Sequence, residues 1–182
     1  WLTDHLPGGV VDSAKLDTSP HKPDASSAGV WVDDVLGGEL SHALVLRPPS
    51  LVAGIGCKRH TPKEQIRAKL MEVLELASLS HRSLRTIASI DLKFDEAGLC
   101  ALAAELDLPL QFFTKDQLAA VDNVPTPSDT VAKHIGVPSV CEAAALLASQ
   151  NGRLIVPKQS TRNVTIAIAR TASISSASVP AI

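Results

Sequence analysis

The sequence predicts an α/β fold: a layered domain on a mixed, mainly parallel sheet of about five strands, with a C-terminal antiparallel hairpin. Three observations predict it. Short apolar runs bounded by Gly and Pro alternate with stretches whose apolar residues recur at three- and four-residue steps. The hydrophobic 45% comes mostly from Ala, Val, Leu and Ile, with three Phe, two Trp and no Tyr, which suits layers of helix on sheet. At 182 residues there is material for one domain with a real core, and too little for two plus linkers.

Residues 1–43 are expected to be an N-terminal tail or the remnant of an upstream region, rich in Pro, Gly, Ser and Asp in its first part. Val30, Trp31 and Val32 suggest a short strand, and a second over 43–46 stops at Pro48 and Pro49. The domain proper is assigned to 44–170. Leu51, Val52, Ala53 and Ile55 read as a strand covered on both faces, and Gly54 and Gly56 allow a tight turn or the close approach of a ligand. Thr61 as N-cap, Pro62 at the first helical position and Glu64 as capping-box partner mark a helix start. Ile66, Leu70, Val73, Leu74 and Ala77 form its apolar stripe. A strand over 87–92, a helix burying Leu99, Leu102, Ala103 and Leu106, and a strand over 108–113 complete two crossovers, so these strands should be parallel. Thr114 with Gln117, Ser128, and Ser139 with Glu142 mark further helix starts. Strands over 154–158 and 164–169 make the hairpin, with Pro157 placing the first at an edge. Residues 171–182, uncharged and rich in Ser and Ala, are expected to be a disordered tail.

Composition excludes several classes. A net charge of −2 gives no whole-protein field for nucleic acid or acidic membranes, and scarce aromatics argue against stacking on single strands. Neither a membrane-length apolar run nor a signal peptide is visible. Cys57, Cys100 and Cys141 lack metal-ligand spacing, so no metal site is expected, and they fit a reducing, cytoplasmic setting.

In an open parallel sheet, ligands collect beyond the carboxyl ends of the strands. That rule brings Cys57, Lys58, Arg59, His60 and Thr61 to one rim with Asp91, Lys93 and Lys158. Such a rim suits a ligand with several carboxylates, since Arg offers a bidentate fork and Lys a point charge. Other readings stand beside this one: a Gly-x-Gly with basic neighbours is also an ordinary solvated turn, and Asp91 with Lys93 is also a strand-end ion pair. Cys57 is either a reactive thiolate or a packing residue.

Four motifs go further. Leu-Arg-Pro-Pro-Ser-Leu-Val-Ala-Gly-Ile-Gly-Cys-Lys-Arg (46–59), Ser-Ile-Asp-Leu-Lys-Phe-Asp-Glu-Ala-Gly-Leu (89–99), Pro-Ser-Val-Cys-Glu-Ala-Ala-Ala-Leu-Leu (138–147), and Leu-Ile-Val-Pro-Lys with Val-Thr-Ile-Ala-Ile-Ala-Arg (154–158, 164–170) stand in this order. The chain thereby resembles, from about Leu44 to Arg170, the C-terminal domain of the cobalamin biosynthesis protein CbiG and its single-domain relative CobE. The resemblance implies cobalt-precorrin-5A hydrolase activity, which opens a δ-lactone and releases acetaldehyde to give cobalt-precorrin-5B, or the substrate-binding domain of that enzyme. Its alternative is a non-catalytic, CobE-like corrinoid-binding helper. A phosphate- or nucleotide-binding domain is a third reading.

Under the first reading, Asp91 is the base or water-orienting group and Lys93 and Lys158 stabilise charge. Gly54, Gly56, Cys57, Lys58, Arg59, His60 and Thr61 would contact substrate. Where the family has glycine before the Thr of this loop, the chain has His60. The implied partner is a cobalt corrinoid bearing acetate and propionate arms, with room for other cobalamin-pathway enzymes but none for nucleic acid or membrane. Cobalt is carried by the substrate, and no cofactor is expected.

Overall fold

The computed structural model describes residues 29–36, 43–121, 125, 139–150 and 152–172. Within them the elements run β1 (Gly29–Val32), β2 (Ala43–Leu46), β3 (Leu51–Cys57), α1 (Lys63–Leu76), β4 (Leu84–Ile90), α2 (Ala97–Glu105), β5 (Leu110–Phe113), α3 (Lys115–Ala119), α4 (Val140–Ala148), β6 (Arg153–Ser160) and β7 (Val164–Arg170). The main sheet has the order β5-β4-β3-β7-β6, and β1 and β2 form a separate parallel pair. β3, β4 and β5 are parallel, while β7 runs antiparallel to β3 and β6 antiparallel to β7. The hairpin therefore completes the five strands instead of standing outside them.

β3 lies at the centre because its run of small and apolar side chains can be covered on both faces. Ala53 and Ile55 face a core built with Ile66, Leu70, Val73 and Leu74 of α1 and Leu99, Leu102 and Ala103 of α2. Val52 faces the other side, where Leu118 of α3 and Val140, Ala143 and Ala144 of α4 close over it. Each large aliphatic side chain buried here contributes about 1.5–3 kcal/mol. Gly54 is required by the same packing: a Cβ there would stand 1.8 Å from the Cys141 carbonyl oxygen.

Several local expectations change. α1 starts one residue later than a Thr61 cap would place it, with Pro62 as N-cap and no side-chain cap bond. The Thr61 hydroxyl donates instead to the Lys58 carbonyl at 2.8 Å, tying down the preceding loop. β4 starts and ends earlier than 87–92, because its parallel partners stop there and Asp91–Lys93 folds into a 3₁₀ turn. The Ser139–Glu142 capping box does not form: Glu142 turns to β6, accepting the Lys158 N–H at 2.9 Å. The Thr114–Gln117 box does form. Pro157 lies within the edge strand β6, where the register against β7 shifts. The helix start at Ser128 and the tail over 173–182 lie outside the described residues.

Residues 29–36 are tied onto the domain at the pole opposite the rim. Arg170 donates to both carboxylate oxygens of buried Asp34, at 2.6 and 2.7 Å, and Ser50 donates to Asp34 as well.

Candidate functional site

Because β6 runs parallel to β3, the carboxyl ends of β3, β4, β5 and β6 share one edge with the start of β7. There the structure holds an open cleft of about 310 Å³. Its walls are Gly56 and Cys57 at the end of β3 with Lys58 after it, Ile90 at the end of β4 with Lys93 beyond, and Ser139 to Cys141 at the start of α4. Lys158, the turn over 160–163 and Thr165 complete it. Lys58, Lys93, Lys158 and Arg162 supply four cations, and no carboxylate stands among the described lining residues. The N-terminal end of α4, where the positive end of the helix dipole lies, forms part of the cleft wall.

The cleft is held rigidly. The Lys58 N–H donates to the Asn163 carbonyl at 2.9 Å and the Thr61 hydroxyl donates to the Lys58 carbonyl, so the backbone of Lys58 is fixed from both sides while its side chain is exposed. Thr161 accepts the N–H groups of Asn163 and Val164 through its hydroxyl, shaping the β6–β7 turn. Glu96, 2% exposed, accepts the His60 N–H at 2.7 Å and an N–H of the Lys93 ammonium at 3.4 Å. Lys93 is thus both held in place and partly neutralised at the cleft edge.

The site residues expected from sequence fall into two groups. Gly56, Cys57, Lys58, Lys93 and Lys158 come together in the cleft. Gly54 is buried beneath α4, and Thr61 is buried in the loop. Arg59 turns away, ion-paired with Asp95 at 2.6 Å and donating to the Leu92 carbonyl. Asp91 and His60 are outside the described lining, Asp91 at the start of the turn after β4. Sequence reasoning missed Ser139, Cys141, Arg162, Asn163 and Thr165. Arg162 and Asn163 were reachable, since a hairpin turn after Lys158 must lie on the same rim. Ser139 and Cys141 lie in a motif noticed for its resemblance, yet nothing in the spacing aims α4 at the rim.

Burial disfavours the thiolate at Cys57 and Cys141. Burial pushes the Cys57 thiol up from its ordinary value, with Lys93 and Arg59 opposing and Glu96 reinforcing. Burial also raises Cys141, against hydrogen bonds from Ser139 and Thr165. A thiol raised in this way is a weaker source of thiolate, which favours the packing reading of Cys57. Among the described residues no three His, Cys, Asp or Glu cluster to hold a metal, and no helix is long and apolar enough to cross a membrane.

Residues 51–169 match the family described as cobalamin synthesis G C-terminus. The chain is similar to the cobalt-precorrin-5A hydrolase of Priestia megaterium, 32% identical over 93% of this chain and 46% of that protein. The hydrolase of Salmonella typhimurium is 37% identical over 68% of this chain and 35% of its own length. The chain thus spans less than half the length of these two relatives. The solved structure of CobE, a protein from the cobalamin biosynthetic pathway, is 37% identical with a TM-score of 0.64, covering 70% of this chain and 94% of that one.

Proposed function

The chain belongs to the cobalamin synthesis G C-terminus family, and from that premise we propose that it is a cobalt-precorrin-5A hydrolase or the substrate-binding domain of that enzyme. The observation that carries this is the cleft: four cations converge where no described lining residue is an acid. A corrinoid with acetate and propionate arms is the complementary ligand, each carboxylate meeting a Lys or Arg in a partly desolvated setting. At about 310 Å³ the cleft is near the lower end of ligand pockets, so it grips the edge of a macrocycle and leaves the rest outside.

In the reaction, water adds to the lactone carbonyl and the ring opens to a carboxylate and an alcohol. Carbon–carbon cleavage then releases the alcohol carbon and its methyl group as acetaldehyde, while the macrocycle carbon takes up a proton. Lys93 and Lys158 stabilise the oxyanion that develops on the lactone carbonyl. Lys58 and Arg162 hold the arms, and Asp91, outside the described lining on the turn that leads to Lys93, meets the part of the macrocycle left outside the cleft and orients the water or accepts its proton. The setting proposed is the cytoplasm, and the chain needs no cofactor because its substrate carries the cobalt.

A non-catalytic, CobE-like helper is the second reading, favoured by the 94% of the CobE chain that this chain covers and by the lack of a described acid in the cleft wall. Acetaldehyde release from cobalt-precorrin-5A, measured with binding followed by visible absorption, separates the two. Release above the enzyme-free rate that vanishes in Asp91→Asn, with binding intact, supports catalysis within this chain. Binding without release supports the substrate-binding domain or the helper, and neither binding nor release rules out all three.

A further inference from the structure

We propose that Glu142 is a positioning residue that aims Lys158 into the cleft. The proposal rests on the reading of the cleft as a carboxylate site and adds to it a residue outside the lining. Glu142 is fully buried in the first turn of α4, yet its carboxylate reaches across to β6 and accepts the Lys158 N–H at 2.9 Å. Burying a carboxylate is costly, so a helix otherwise built from Ala, Val, Leu and Cys needs a reason to carry one.

β6 supplies the reason. It is an edge strand, Pro157 has no N–H to give the ladder, and the pairing with β7 shifts register between Val156 and Gln159. A bulge of this kind re-aims the side chains around it. At Lys158 the backbone bonds to α4, and the side chain of Lys158 lines the cleft. The carboxylate therefore fixes the direction of a cation from sixteen residues away. Glu142 acts through Lys158 and does not itself touch the ligand.

The probe is cobyrinic acid, a cobalt corrinoid whose acetate and propionate arms are free carboxylates, titrated by visible absorption. Lys158→Ala and Glu142→Ala are each expected to weaken binding about tenfold. The double variant should be no weaker than Lys158→Ala, because both act through one cation. Glu142→Gln, which keeps an oxygen acceptor, should recover most of the loss. Multiplying effects in the double variant, or unchanged affinity in Glu142→Ala, would overturn the proposal. Hydrogen exchange of the Lys158 amide in the unaltered chain needs no variant: slow exchange is expected, and exchange at the rate of an exposed amide would sink it. Failure of the unaltered chain to bind the probe would overturn the cleft reading and this role together, while slow amide exchange would still show Glu142 holding the strand.

Discussion

His60 stands at φ 60°, in the left-handed region where a Cβ is crowded by its own backbone. It is held there because its N–H reaches the buried Glu96 carboxylate. His60→Gly should therefore raise stability by about 0.5–1 kcal/mol, the relief of strain exceeding the extra freedom glycine gains when unfolded. Urea unfolding with an unchanged slope checks this, and a loss of stability would mean that the imidazole makes contacts that matter more. Gly54 is the opposite case. Its Ala variant would drive a methyl into the Cys141 carbonyl, so α4 must shift, at a cost of about 1–3 kcal/mol or more and with the cleft wall displaced. Weaker corrinoid binding alongside a lowered melting temperature is the expected result; an unchanged melting temperature would contradict it. For both glycines of the β3 motif the sequence offered a tight turn or the close approach of a ligand. What the sequence could not say is that at Gly54 the approaching group is the protein's own helix, a contact made between residues far apart along the chain.

At the scale of elements, α1 and α2 are joined at the surface by Glu105, which accepts from Lys63 at 2.6 Å and Arg67 at 2.8 Å. The Lys63 hydrogen bond holds the Glu105 carboxyl below its usual range and raises Lys63, while the Arg59 hydrogen bond lowers Asp95. For the two carboxylates, depressed in the folded chain, the stabilisation is full above their unfolded values near 4 and is lost as pH falls through the lower folded values. For Lys63, raised on folding, it is present below the unfolded value and lost as pH rises through the folded one. All three are surface groups, so the effects are small and screened by salt. Glu105→Gln should flatten both the acid and the alkaline limbs of a stability–pH profile at low salt, whereas Arg59→Ala should flatten the acid limb alone. Identical profiles for Glu105→Gln and the parent would contradict the pairing. The apolar stripes of α1 and α2 were readable from period alone, and the start of α4 was marked by Ser139. The start of α1 was not readable, because Thr61 found another hydrogen-bond partner, and the capping box expected at Ser139 gave way to the bond from Lys158 to Glu142. Local capping patterns state what a hydroxyl can do, and tertiary packing decides what it does.

At the scale of the whole molecule, the cleft exists because a parallel crossover set and an antiparallel hairpin bring four strand ends and one helix start to a single edge. Much of this was legible: the fold class, the rim and three of its four cations, Lys58, Lys93 and Lys158, follow from strand order and the carboxyl-end rule. The contribution of α4 was not, because its place depends on packing against β3, to which neither its composition nor its capping points. The separation of Arg59 and Asp91 from the cleft was equally hidden, since a strand-end rule places backbones and leaves side chains to their nearest partners.

The central claim is that this edge reads carboxylates on a corrinoid. The measurement that tests it most directly compares the affinity of the purified chain for cobyrinic acid with that for its fully amidated counterpart, at low and high salt. Tight binding of the acid that weakens steeply with salt, and at least about tenfold weaker binding of the amide, is the result expected of a four-cation cleft. Equal affinity for both, insensitive to salt, would show that the cations do not face the ligand and would contradict it.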